Sequence, residues 1–555
     1  MTLLRTQPAT LRRSRWRITL VATLTVLTTG SLIAAANVGA AASGSGRPFF
    51  SPGNLLVSGS TYATRPGSIV PGVTVLPPGC TSGCATANNN AAYPGVWNND
   101  LVDASFGVTS PIVLEQLTPS GHLVNTLRVP TAAGPGKDGV VTSFSSKSEM
   151  ALNLSASGRY VTFMGYLSRP SALDVSNSNT PGDLDATNPV PGQNYRVVGQ
   201  LDSRGMFSFT KTNAYSGNNG RAAYLNDSGG TNVYYTAGNA GNGANPQPDG
   251  IIVGAGAQLI TPQAAPLFQQ QPGQPTPVGS FNITQLGDKP DKVGKDTNFR
   301  GLTVFNNVVY FTKGSGGNGV NTVYFIDTTG TACPNGTGLP APGAALPTSP
   351  IAYDPSVLQT EGVTPYNMCI LQGFPTALKS TTAFPFGIWF ANANTLYVAD
   401  EGNGDNTFSA QTGTYSVAAG QTTAGLQKWI FNGTSWQLAY TVKAGLALGV
   451  PYTVPGYPTG DNPASGLPWS PGTDGLRNLT GRVNPDGSVT IWAITSTVSG
   501  NGDQGADPNK LVSITDQPSA ASPASGESFQ TVRSAGYGQV LRGVSFTPGT
   551  GVYGH

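Results

Sequence analysis

One phrase recurs along the chain and leaves few folds open to it. Gly-Asn-Gly stands at 241–243, 317–319, 402–404 and 500–502. Each copy follows a strand-like run: Asn232-Val-Tyr-Tyr-Thr, Val308-Val-Tyr-Phe-Thr, Thr395-Leu-Tyr-Val-Ala and Val489-Thr-Ile-Trp-Ala. β-Branched and aromatic residues of this kind fit a pleated, half-buried surface. A second phrase stands one step upstream of each copy: Gly220-Arg221-Ala-Ala-Tyr, Arg300-Gly-Leu-Thr-Val, Phe386-Gly-Ile-Trp-Phe and Leu476-Arg477-Asn-Leu-Thr. A fifth copy of it, Leu541-Arg542-Gly-Val-Ser-Phe, lies near the C-terminus. Strand, turn, strand and glycine-rich loop therefore recur at intervals of tens of residues, as in a β repeat architecture.

From Phe49 to His555 no helix-period segment exceeds two turns, and strand patterns with turn signals dominate. The patterns group into four-stranded units whose first strands are Ala151–Ser155, Arg221–Leu225, Gly301–Phe305, Phe386–Phe390 and Leu476–Val483. Three strands are left over at the N-terminal side, Asn54–Ser58, Ile112–Leu117 and Leu123–Val129. One is left over at the C-terminal side, Val540–Phe546. Joining them completes a sixth unit and closes a ring, which removes exposed sheet edges. The expected fold is all-β: a six-bladed β-propeller closed by strands from both chain ends, with seven blades as the alternative. A calcium-binding β-roll is the rival fold, because Gly316-Gly317-Asn318-Gly319 resembles its repeat. Such repeats run in tandem about every nine residues, however, and these copies do not.

With 73 Gly and 44 Pro in 555 residues, the composition suits many short strands joined by turns. Only 10% of residues are charged and the net charge is +2, so nothing electrostatic points to nucleic acid as a partner. Arg5, Arg12, Arg13, Arg15 and Arg17 precede an apolar run from Ile18 to Ala36, and Ala40-Ala41-Ala42 offers a cleavage site. Residues 1–42 thus read as a signal peptide and 43–555 as a single β-propeller domain with long loop insertions. The expected location is secreted, extracellular or periplasmic, with no membrane span once the signal is cleaved. An uncleaved anchor is the alternative, since the run is long enough to span a bilayer. The four cysteines suit export, and the local pairing is Cys80 with Cys84 and Cys333 with Cys369. A Cys₄ zinc site is the weaker reading, because neither pair has the usual spacing.

Blade topology places the second-to-third-strand loops on one face, together with the connections between blades. All four Gly-Asn-Gly loops belong to that face, and long loops on one face of a rigid scaffold are where function concentrates. Arg221, Arg300, Arg477 and Arg542 begin innermost strands and should gather at one mouth of the channel. Four guanidiniums there suit a phosphate, sulfate or carboxylate; pairing with acids of neighbouring loops is the plain alternative. Asp400, Glu401, Asp405, Asp503 and Asp507 sit among flexible glycines and supply the hard oxygen ligands that Ca²⁺ takes, although Asp and Asn are also ordinary turn formers. Tyr62, Trp97 and Trp469 lie in long loops, where a sugar could stack. Only two histidines occur, His122 in a turn and His555 at the end. A Ser-His-Asp hydrolase or a His-ligated zinc enzyme therefore has little to work with.

The run from Phe386-Gly-Ile-Trp-Phe through Leu396-Tyr-Val-Ala-Asp400 resembles the blade repeats of NHL-type and lactonase-like propellers. The likeness covers about residues 215–550 at the level of fold. Asp461-Asn-Pro-Ala-Ser-Gly-Leu-Pro-Trp469 is loosely similar to a β-propeller phytase motif, with Asn for its second Asp and an insertion before Trp. That likeness implies a calcium-dependent hydrolase of phosphate esters or lactones as one function. The residues themselves favour a secreted propeller that binds a glycan or an anionic small molecule on the long-loop face. A structural extracellular module is the third expectation, and whether the chain is an enzyme stays open.

Overall fold

The computed structural model describes residues 48–61, 70, 73, 75–76, 85–86, 109–131, 139–143, 150–170, 195–212, 214–215, 219–239, 256–265, 277–281, 286, 298–314, 319–350, 367–378, 383–463, 465–500 and 507–551. The expected signal segment and the Cys80–Cys84 pair lie outside these residues, as do the Gly-Asn-Gly copy at 241, Asp503, Tyr62 and Trp97.

The first strands are β1 (Leu55–Thr61), the short pair β2 (Val75–Leu76) and β3 (Ala85–Thr86), β4 (Thr109–Leu117) and β5 (Leu123–Arg128). Next come β6 (Val141–Ser143), β7 (Asn153–Leu154), β8 (Tyr160–Tyr166), β9 (Arg196–Asp202) and β10 (Phe207–Thr212). One sheet follows as β11 (Gly220–Asn226), β12 (Val233–Gly238), β13 (Ala257–Ile260) and β14 (Pro277–Gly279). Another is β15 (Leu302–Phe305), β16 (Val308–Lys313), β17 (Thr322–Ile326) and β19 (Met368–Leu371), with the short β18 (Thr337–Gly338) added in parallel to β19. The third is β20 (Pro385–Asn392), β21 (Thr395–Asp400), β24 (Gly425–Phe431) and β25 (Trp436–Val442); its long loop carries the hairpin β22 (Phe408–Ser409) and β23 (Thr414–Tyr415) and the one-turn α1 (Ser416–Gly420). The fourth is β26 (Gly472–Val483), β27 (Val489–Val498), β28 (Lys510–Asp516) and β29 (Gln530–Ser534), after which β30 (Gln539–Phe546) closes the series.

The architecture is a propeller-like ring of antiparallel sheets. Four sheets stand as separate blades, in place of the six or seven expected. The reason is β6, a strand the sequence pattern does not announce. It pairs with β4 on one side and β8 on the other, so nine strands fuse into one sheet ordered β10-β9-β8-β6-β4-β1-β30, with β5 on β4 and β7 on β8. β30 pairs antiparallel with β1 from Leu55↔Phe546 to Thr61↔Gln539, so the two ends of the described chain meet in one sheet.

The inner strands follow one another around the ring: β7 packs on β11, β11 on β15, β15 on β20, β20 on β26, β26 on β30 and β30 on β7. Glycines in the repeated phrase permit this closeness. A Cβ on Gly301 would lie 1.9 Å from the Phe386 carbonyl, one on Gly387 2.5 Å from that of Arg477, and one on Gly543 2.3 Å from that of Met150. No side chain fits between these backbones, so Gly→Ala there forces the strands apart. Behind them the sheets interlock through aromatics. Phe305 stacks on Phe390 with centroids 4.5 Å apart, and Phe374 on Trp429 at 3.9 Å. Such pairs add about 0.5–1.5 kcal/mol each beyond their buried area. Trp429, Trp436 and Trp492 are buried, as core packing requires.

Cys333 and Cys369 form a disulfide with Cα atoms 5.6 Å apart, which ties the β17–β19 excursion to its own sheet. Among the described residues no helix is long and apolar enough to cross a membrane.

Candidate functional site

A chain of backbone contacts runs around the ring at one level. Ala151 N–H donates to the Arg221 carbonyl, and Arg221 Nη1 donates to the carbonyl of Phe299 at 3.3 Å. Gly301 abuts Phe386, Gly387 abuts Arg477, Val544 N–H donates to Asn478 Oδ1 at 2.7 Å, and Gly543 abuts Met150. Arg221, Arg300, Arg477 and Arg542 therefore occupy equivalent places on neighbouring inner strands. Each is 3–5% exposed. Phe386 holds the corresponding place on β20, and its ring lies between two of them, 5.7 Å from the Arg300 Cζ and 5.9 Å from that of Arg477. The repeated phrase carried this signal, since Phe386-Gly387 aligns with Arg300-Gly301, yet sequence reasoning passed over the phenylalanine.

The arginines do meet acids, but unequally. Glu401, itself buried, accepts from Arg477 Nε at 3.1 Å and pairs with Arg300 Nη2 at 3.7 Å. One carboxylate thus serves two guanidiniums. Arg221 also donates to Asn298 Oδ1, and Arg542 Nε donates to Ser60 Oγ at 3.4 Å. Arg477 Nη2 is buried and makes no hydrogen bond. A buried polar atom left in this way is rare and asks for an explanation.

Two further carboxylates back onto Glu401. Asp400 accepts from Phe384 N–H at 2.9 Å, Gly402 N–H at 3.0 Å and Gln427 Nε2 at 3.1 Å. Asp474 accepts from Gly404 N–H at 2.8 Å and from Gln421 Nε2. Burial raises both: Asp400 to about 6 and Asp474 to about 7, with the charge of Glu401 adding to each. The Gly-Asn-Gly loop at 402–404 exists to clasp Asp474. Gly402 has φ 82°, and a Cβ there would lie 2.4 Å from Asp474 Oδ2. Asp474 was missed as a site residue. Its only advance signal is its place three residues ahead of Arg477.

Of the proposed calcium ligands, Asp400, Glu401, Asp405 and Asp507 are described, and each has other partners. Asp400 is held by the three donors above and Glu401 by two arginines. Asp405 is exposed in a turn, where Thr407 N–H donates to its Oδ1 at 2.9 Å. Asp507 is buried and accepts from the Tyr457 hydroxyl. Among the described residues no group of three or more His, Cys, Asp or Glu side chains could hold a metal ion. Trp469 is 1% exposed and cannot offer a sugar platform. His122 lies exposed in the β4–β5 turn, where its N–H donates to Thr118 Oγ1 at 3.1 Å.

A cavity of about 110 Å³ has Leu154, Tyr224, Val304, Ile388, Leu479 and Phe546 in its lining, together with polar residues such as Asn153, Ser155, Thr303, Thr480 and Ser545. The first-named residues come from β7, β11, β15, β20, β26 and β30 in turn. The six inner strands therefore surround one channel.

A second buried ionic cluster lies between two blades. Lys428 Nζ sits 3.1 Å from Asp516 Oδ2 and donates to Tyr440 Oη at 3.0 Å, to the Ala520 carbonyl at 2.9 Å and to that of Gln517. Asp516 in turn accepts from the hydroxyls of Tyr440, at 2.6 Å, and Tyr397.

No protein-family model matches the chain, and no curated protein matches it.

Proposed function

We propose that the chain is an exported, six-bladed β-propeller that binds a small anionic molecule at the arginine tier of its channel. The observation that carries this reading is Arg477 Nη2, a buried guanidinium nitrogen beside Glu401 that makes no hydrogen bond. An anion arriving there meets donors already in place, and charge-assisted bonds from guanidinium are the strong kind. The count of six rests on the nine-stranded sheet. With β6 set aside, β30-β1-β4-β5 and β7-β8-β9-β10 are two more four-stranded meanders. Export rests on the basic-then-apolar N-terminal run and on the Cys333–Cys369 bond.

Calorimetry with phosphate, sulfate and acetate tests the reading. Binding by the wild type, lost in Arg477→Ala that retains its circular dichroism, is the expected result. No heat with any of the three anions overturns it.

Asp474 favours a second reading as a hydrolase. A carboxyl titrating at about 7 suits general acid–base work at neutral pH. Phosphate-ester and lactone substrates would be turned over by the wild type and not by Asp474→Asn; equal rates in the two would sink this alternative. The described carboxylates do not fit a calcium ion, and no step is routed through one.

A further inference from the structure

The Lys428 cluster holds a second carboxylate. The connection from β28 to β29 turns at Ala524, whose N–H donates to Glu527 Oε2 at 2.9 Å and whose carbonyl accepts from the Glu527 N–H at 3.1 Å. That turn sets the Glu527 carboxyl within hydrogen-bond reach of Asp516. The ionisable groups around it come from the strands packed against it: Asp516 from β28, Lys428 from β24, Tyr440 from β25 and Tyr397 from β21. Glu527 Oε1 is buried, and no donor of the chain reaches it.

Ionised carboxylates only accept hydrogen bonds, so two of them in contact repel; one proton between them turns one into a donor. The other donors of the cluster are directed elsewhere. Both tyrosine hydroxyls donate to Asp516, and Lys428 Nζ faces Asp516, the Tyr440 oxygen and the carbonyls of Gln517 and Ala520. We infer that Glu527 keeps its proton in the folded protein and gives it to Asp516, which makes the connection at 517–529 a latch released by rising pH. With the proton in place the cluster holds one cation and one anion. Without it, a second anion is left at a half-buried position beside the first. The connection is otherwise fixed by Lys428 on Gln517 and Ala520, and by Phe529 N–H on the Ala444 carbonyl at 2.8 Å.

Burial, and then the charge of Asp516, push the Glu527 carboxyl above its ordinary 4.5. The folded state therefore holds this proton more tightly than the unfolded chain does. Its contribution is complete below about pH 4.5 and is lost as pH rises through the raised folded value.

Amide hydrogen exchange on the whole chain tests the latch, corrected for the pH dependence of the exchange chemistry. Ala520, Glu527 and Phe529 donate backbone hydrogen bonds from the connection and are the reporters. Their protection in the wild type is expected to fall at least about tenfold from about pH 5 to about pH 9, while that of the sheet β11–β14 holds. Glu527→Gln keeps a donor at every pH and is expected to change less than about twofold over the same range. Where the glutamine variant does not fold, Glu527→Ala lacks the carboxyl and its proton alike, and is expected to show the same flat response at lower protection. Wild-type protection equal at both pH values overturns the inference. So does a fall in the glutamine or alanine variant as large as that of the wild type. A fall shared evenly by the sheet β11–β14 also overturns it, because the response then belongs elsewhere in the chain.

Discussion

Two buried charge clusters lie in this ring and are built on opposite terms. At Lys428 one ammonium lies against Asp516, with Glu527 close by, and its protons have acceptors: Asp516, the Tyr440 oxygen and two backbone carbonyls. At Glu401 one carboxylate faces two guanidiniums, and an Arg477 nitrogen has no acceptor. Burying charge is costly unless it is paired and hydrogen-bonded. The Lys428 ammonium meets that condition within the fold. The Arg477 guanidinium does not, and under the reading proposed above an anion would complete it. The difference separates a clamp between blades from the site proposed above for an anion.

The comparison breaks most visibly at the clamp. Lys428→Met leaves Asp516 buried without its cation, and equilibrium urea unfolding should show a loss of about 3–5 kcal/mol. Anion binding by the fraction still folded should be unchanged, because the clamp lies between β24, β25 and the loop after β28. At the tier the order reverses. Arg477→Ala should cost less than about 2 kcal/mol of stability, since Glu401 keeps Arg300, yet weaken anion binding at least tenfold, about 1.4 kcal/mol. Equal losses of stability from the two substitutions would erase the distinction.

Protonation sharpens it further. The folded pKa values of Asp400 and Asp474, about 6 and about 7, lie above the ordinary 3.8. The folded state therefore binds these protons more tightly than the unfolded chain. The stability they contribute is complete below about pH 4 and is lost as pH rises to about 7. Urea midpoints should fall across that window in the wild type and fall less in Asp474→Asn. Anion binding should weaken over the upper part of the same window, as carboxylates beside Glu401 become charged. The smallest effect concerns metal. Because the described carboxylates already have other donors, melting with and without a chelator should give the same Tm, and a drop of several degrees would restore the calcium reading.

Much of the fold was legible because strand periodicity and turn chemistry are local. β11, β16, β21 and β27 begin where the repeated phrase placed them. The pairing of the chain ends followed from edge strands that had no other partner. The short strands β6, β18, β22 and β23 were not legible, because two or three residues carry no period. The fusion of the nine-stranded sheet was invisible for the same reason, since it depends on β6 alone. At the site, the four arginines could be named from the repeat. Their sharing of Glu401, the Phe386 ring between two of them and the clasp on Asp474 could not. Those depend on which side chains meet across strands dozens of residues apart.

The pairing of β1 with β30 also sets a timetable. Until residues 539–546 have been synthesised, Leu55–Thr61 keeps one bare edge and the ring cannot shut. Partners separated by nearly the whole chain make closure a late, slow event. A nascent chain of this kind stays open until those residues have emerged, a condition in which it can still be threaded lengthwise through a narrow pore.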